Sequence, residues 1–219
     1  MAADMRSRQF QGKGPCGRVL TSDARTCEGV AEKWADLVIT SPPYANNYDY
    51  DDATRLEMTF LGEISGWSDL QTSIRQRLVR SCTQHVAAFA NRSGAILKSR
   101  EVAPIAEELT RVCSELNSVK EKHGGKNPYH AMIAHYFHDL AQVWASLRRV
   151  TRFGGRVCVV VGDSAPYGVH VPIERWLGEL AVAAGFKSYR FEKLRDRNTK
   201  WKNRKHKVPL HEGRLWVEG

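Results

Sequence analysis

The chain has 219 residues, 42% of them hydrophobic and 26% charged, with a net charge of +9. This length suits one domain with room for an insertion, and the composition is ordinary for a soluble globular protein. No apolar run reaches the ~20 residues of a membrane-spanning helix, and the opening MAADMRSRQF lacks the apolar core of a secretion signal, so the sequence reads as a cytosolic protein with no membrane partner.

Residues 1–16 read as a polar, Gly-rich, flexible tail. Within it, GKGPCG (12–17) matches G-x-G-x-x-G on paper, but no strand precedes it, it contains Pro15, and it runs straight into a strand. It is rejected as a nucleotide loop. Arg18–Thr21 is a short strand candidate that leads into Ser22-Asp23-Ala24, and Asp36–Thr40 is a second strand with three consecutive apolar residues. Runs of that kind suit parallel strands buried on both faces. From about residue 54 to 150 the pattern turns helical, reading as an insertion. After Pro104, Ile105, Leu109, Val112, Leu116 and Val119 form a helical stripe. HGGKNPY (123–129) is a hinge, and Asn127-Pro128 reads as cap and first turn of a further helix. That helix carries Met132, Ile133, Tyr136, Phe137, Leu140, Val143, Trp144 and Leu147. Phe153-Gly154-Gly155 reads as a turn, Arg156–Val161 as a buried strand ending in Gly162-Asp163-Ser164, and Pro172–Gly185 as a helix. Phe186–Phe191 and Arg214–Glu218 close the chain as strands. This order predicts an α/β fold, and ligands of such sheets sit beyond the carboxyl ends of the strands. Asp23, Ser41–Tyr44 and Asp163-Ser164 fall on that edge.

The five cysteines (Cys16, Cys27, Cys82, Cys113 and Cys158) are odd in number and form no C-x-x-C pair, so free thiols are expected. His130, His135 and His138 do not share one helix face, and no metal site is expected. Between Lys193 and Lys207 stand eight basic residues and one acid, so most of the net charge lies in this block. With Trp201 inside it, the block suits a polyanion, and a solvated basic loop is the alternative.

The most specific stretch is TSPPYANNYDY, 40–50. Two prolines fix φ and donate no hydrogen bond, so Ser41-Pro42-Pro43-Tyr44 holds acceptors in set directions, and Tyr44 offers a flat face for an aromatic ring. Two acceptors beside a stacking face suit an exocyclic amine. Accepting both of its protons pushes the nitrogen toward a tetrahedral shape and frees its lone pair.

The segment GRVLTSDARTCEGVAEKWADLVITSPPYANNYDY resembles the amino-directed DNA methyltransferases, which methylate cytosine N4 or adenine N6. LRRVTRFGGRVCVVVGDSA (147–165) and the C-terminal stretch with His211-Glu212 are similar to later parts of that family. The resemblance covers about residues 17–219. It implies a partial Rossmann-like sheet of the S-adenosylmethionine-dependent type with a helical insertion, DNA as partner, and the target base flipped out of the duplex. By that resemblance Ser41, Pro42, Pro43 and Tyr44 form the catalytic corner, and Asp23 contacts the cofactor, S-adenosyl-L-methionine. Lys200, Trp201, Lys202, Arg204, Lys205 and Lys207 contact DNA. Serine at the head of the motif favours cytosine N4, with adenine N6 the alternative and RNA a related substrate. The family's aromatic-x-Gly-x-Gly cofactor loop has no match here. The sequence therefore reads as one part of a split enzyme completed by a second polypeptide, as a piece of a longer gene, or as a non-catalytic DNA-binding subunit.

Overall fold

A continuous apolar strand followed by a long helical crossover makes parallel pairing possible, and the computed structural model shows that pairing. It describes residues 17–86, 92–125, 127–197 and 208–219. The expected tail and Lys200, Trp201, Lys202, Arg204, Lys205 and Lys207 lie outside the described residues. Strands β1 (Ala35–Thr40), β2 (Thr151–Gly162), β3 (Ser188–Arg197) and β4 (Leu210–Glu218) form one sheet in the order β1-β2-β4-β3. β1 and β2 are parallel, and β4 runs antiparallel to both β2 and β3. The expected α/β class holds, as a βαβ unit closed by an antiparallel hairpin.

The crossover begins with helical turns at Tyr50–Ala53, Arg55–Phe60 and Trp67–Asp69, the last running into Leu70–Ile74. It ends with two long helices, α1 (Ala106–Lys120) and α2 (Tyr129–Val150). α3 (Ile173–Ala183) follows β2 and stops at Gly185, whose φ of +98° suits glycine. Leu109, Val112 and Leu116 of α1 and Met132, Ile133, Tyr136, Phe137, Leu140, Trp144 and Leu147 of α2 are buried. They join Val157, Val159, Val161, Leu215 and Val217 of the sheet in one core. Among the described residues no helix is long and apolar enough to cross a membrane. Cys27, Cys82, Cys113 and Cys158 are free, and burial pushes the Cys113 thiol up to about 12, well away from a reactive thiolate.

Several boundaries differ from the sequence reading. Arg18–Thr21 is not a strand: residues 17–23 have no regular structure, and Val19 is almost fully exposed. An apolar pair forms a strand only when its backbone pairs in a ladder, and residues 17–23 pair with none among the described residues. Phe153-Gly154-Gly155 is a bulge inside β2, where the register jumps from Ala35↔Thr151 to Leu37↔Arg156. Gly154 takes a φ of +73°, and a side chain at Gly155 would press on the Ala35 carbonyl at 2.9 Å. Asn127 does not cap α2; Pro128 holds the cap position with no side-chain bond, and the Asn127 carbonyl accepts from Tyr129. β3 runs past Phe191 into the basic block, because an edge strand tolerates alternating long charged side chains.

The two ends of the sheet differ. Arg156 and Arg190 flank the Trp216 ring, and Arg214 pairs with Glu192 at 2.7 Å, so long side chains cover β2, β4 and β3 on the face away from the core. At β1 no such cover exists among the described residues. Leu37 is 48% and Ile39 70% exposed, and β1 is an edge of the sheet.

Candidate active site

Where β1 ends, the two prolines turn the chain sharply and the corner is tied down on both sides. Ser164, just past β2, donates its hydroxyl proton to the carbonyl of the buried Ala45. Asn47 sits at a φ of +65°, and its Oδ1 accepts from Thr83 N and Oγ1, both at 2.8 Å. The Ser41 hydroxyl donates to the Val160 carbonyl at 3.3 Å. A hydroxyl has one proton. With that proton directed at the sheet, Ser41 leaves its lone pairs to accept from a ligand.

The corner forms one side of a cleft of about 780 Å³. Thr21–Ala24, Ser41–Tyr44, Tyr50, Arg77–Val79, Ser81 and His85 line it. The structure thus brings together Asp23 and the whole Ser41–Tyr44 motif, which are remote in sequence. The Asp23 carboxylate, however, is held by Arg25: Nη2 lies at 2.7 Å, Nε at 3.0 Å, and the Arg25 backbone N–H at 2.8 Å. The Arg25 hydrogen bond keeps the Asp23 carboxyl below its ordinary range. Arg25 also reaches the Arg77 carbonyl and the buried Asp139, to which Arg80 bonds as well. This network fixes one wall of the cleft. Tyr50, Arg77 and His85 were not legible in the sequence, since the loops carrying them have no periodicity. The Tyr50-Asp51-Asp52 run after the motif was the one available signal. His85 is buried with its Nε2 3.3 Å from Asp51, and Arg75 pairs with Asp49 and Asp51.

Tyr44 is half-buried. Burial raises its phenol above the ordinary value, and the nearby Glu212 carboxylate, acting as charge and acceptor, raises it further. Beside it, Asp163 is buried with its Oδ2 2.9 Å from His211 Nδ1, while His211 Nε2 is 3.3 Å from Glu174. Each ring nitrogen of His211 faces a different carboxylate. Burial, then a hydrogen bond to Asp163 and its charge, push Glu174 up to about 8. Burial opposes the Asp163 charge, but bonds from His170 and Glu174 outweigh it and hold Asp163 below its usual range.

A pH prediction follows from Glu174. A carboxyl whose pKa is raised by folding contributes stability that is complete at acid pH and lost as pH rises from 4.5 through about 8. Urea denaturation across that window is expected to show wild-type stability falling toward the alkaline end, and Glu174→Gln removing that fall. Parallel curves for the two chains would refute it.

No protein-family model matches the chain. It is 29% identical over 157 residues to the Type II methyltransferase M.AvaI of Nostoc sp. (strain PCC 7120 / SAG 25.82 / UTEX 2576), a match covering 69% of this chain and 30% of that protein. It is 25% identical over 173 residues to the Type II methyltransferase M.BsoBI of Geobacillus stearothermophilus, covering 74% of this chain and 33% of that protein. The methyltransferase resemblance read from the Ser-Pro-Pro-Tyr segment agrees with the names of these relatives. The chain spans about a third of the length of the curated relatives it matches. Among solved structures, TTHA0409 of Thermus thermophilus complexed with S-adenosyl-L-methionine aligns with 90% of this chain and 52% of its own, at 16% identity. Its TM-score is 0.37, too low to carry an argument.

Proposed function

We propose that this chain, a relative of Type II methyltransferases, is the amine-activating part of an S-adenosyl-L-methionine-dependent DNA methyltransferase, acting on cytosine N4. The observation that carries this reading is the Ser41 hydroxyl. Its proton is directed at Val160, so Ser41 and the Pro42 carbonyl present acceptors to an exocyclic amine. The amine's two N–H bonds donate to them, its lone pair leaves conjugation with the ring, and the base stacks on Tyr44. The cofactor supplies an electrophilic methyl group. Digestion of methylated DNA to nucleosides and mass analysis tests the choice of base: N4-methylcytosine is expected, and N6-methyladenine would transfer the same site to the adenine branch.

The described residues fit the amine better than the cofactor. Asp23 reaches the cleft, but Arg25 occupies its carboxylate, and the turn after β1 carries prolines rather than the glycines a close backbone approach needs. We therefore assign the cofactor cradle to a complementary segment outside these 219 residues, on a second polypeptide or elsewhere in a longer protein, placed beside β1. The exposed Leu37 and Ile39 support this, because parallel strands are normally covered on both faces. Calorimetric titration of the purified, folded chain with S-adenosyl-L-methionine is expected to show no binding. Micromolar binding would overturn that assignment and place the cofactor site on this chain itself. A non-catalytic DNA-binding role is favoured if no assembly containing this chain methylates DNA.

DNA contact is proposed for the basic block. Replacing Lys200, Lys202, Arg204 and Lys205 by glutamine is expected to flatten the dependence of log affinity on log salt by about 3 to 4, at roughly 0.9 per phosphate contact. An unchanged slope would remove these residues from the DNA surface.

A further inference from the structure

The corner is braced from the hairpin as well as from the crossover. β3 ends at Arg197 and β4 carries Glu212, and the pairing of Arg195 with Glu212 and of Gly162 with Glu212 fixes both beside the end of β2. The Arg197 guanidinium lies over the Tyr44 ring, 5.0 Å from its centre. Arg197 is not among the residues lining the cleft. It lines a separate hollow with Asn46, Tyr129 and Asp163, so it covers Tyr44 from outside the cleft. Its Nη1 donates to the Asp163 carbonyl at 2.8 Å, which ties it to the end of β2. The Glu212 carboxylate lies close enough to the Tyr44 phenol to oppose its ionisation. It is oriented by Arg195 at 2.8 Å and by Arg197 at 3.9 Å.

An aromatic side chain turns about two bonds. A cation over the ring restricts one rotation, and an acceptor at the hydroxyl restricts the other. We propose that Arg197 and Glu212 are positioning residues that fix the Tyr44 ring as a flat wall of the cleft, ready for a base to stack. The inference rests on the methyltransferase reading given above, and it adds to the motif two residues from the opposite end of the chain. A pre-set ring removes part of the ordering cost of binding the flipped base in a reactive pose. The two residues carry opposite charges and act on the same phenol in opposite directions: Glu212 opposes its ionisation and Arg197 favours it. Ser41 also acts on that phenol, in the same direction as Arg197.

The test uses the full chain with tyrosine replaced by 3-fluorotyrosine, whose phenol ionises at lower pH. Fluorine NMR follows each ring, and loss of a signal in Tyr44→Phe assigns Tyr44. Glu212→Gln is expected to lower the Tyr44 midpoint and Arg197→Gln to raise it. General loosening of the fold would not give two shifts of opposite sign. In the methylation assay of the assembly that contains this chain, Glu212→Gln is expected to lower kcat about tenfold, the scale of one hydrogen bond, with the KM for DNA within about twofold. In a Tyr44→Phe background the same change is expected to have no further effect. Arg197→Lys, which keeps the charge, should restore most of the loss seen in Arg197→Gln. A Tyr44 midpoint that neither variant moves would overturn the proposal, as would an equal loss from Glu212→Gln with and without the Tyr44 hydroxyl. If no assembly containing this chain, wild type included, methylates DNA, the methyltransferase reading fails, and the fluorine titration alone decides whether Arg197 and Glu212 act on Tyr44.

Discussion

Tyr44→Ala is expected to lower methyl transfer to DNA about a hundredfold while changing DNA affinity less than about twofold. Stacking of a base on an aromatic ring is worth roughly 1–3 kcal/mol, and the upper end applies where the ring is held and half-buried. The substitution leaves the acceptors in place, because the Ser41 hydroxyl is anchored to Val160 and the prolines set their own φ. It also leaves the phosphate contacts proposed for the basic block. The loss should therefore fall on kcat, and the salt dependence of binding should match wild type. An equal fall in affinity and rate would move Tyr44 from the reacting base to general DNA contact. Loss of rate with unfolding, visible in circular dichroism, would make it a structural residue only.

Trp176→Ala is the substitution with the largest expected effect on stability. Trp176 is fully buried in α3, meets Phe137 of α2 edge-on with ring centres 5.0 Å apart, and donates its indole N–H to Glu108 of α1 at 3.1 Å. One side chain thus joins all three long helices. Truncating a buried tryptophan costs about 3–5 kcal/mol, against a total of about 5–15 for a domain. Urea denaturation is expected to show a midpoint shift of that size with an unchanged slope. A cost below about 1 kcal/mol would mean that the helices repack without it.

The catalytic corner was legible because it is local. An apolar run followed by Pro-Pro-Tyr states in adjacent residues both where a strand ends and which acceptors follow it. The core was legible for a similar reason, since the stripes of α1 and α2 repeat at helical spacing. What the sequence hid was everything that reaches the corner from elsewhere. Arg197 and Glu212 arrive through strand register, and register depends on which strands pair. Tyr50, Arg77 and His85 arrive through loops fixed by Asn47, Arg75 and Arg25, whose bonds leave no periodic trace. The apolar pair Val19-Leu20 misled in the opposite direction, because its strand character requires a neighbour that the described residues do not provide. The end of β3 was hidden by its charges, which read as a loop until an edge position allows them.

The parallel pair at the β1 edge of the sheet also sets an order in time. Val38 of β1 is synthesised early and meets Val157 of β2 only after the whole helical crossover has been made. Pairing across so long a separation is slow, so the edge of β1 that β2 will cover stays open while the crossover is made. Once β2 arrives, one edge closes; among the described residues the other does not. A nascent chain in that state is exposed to misassembly for the duration of its own translation. If the complementary segment proposed above pairs with β1, the same interval is when it can add without displacing anything.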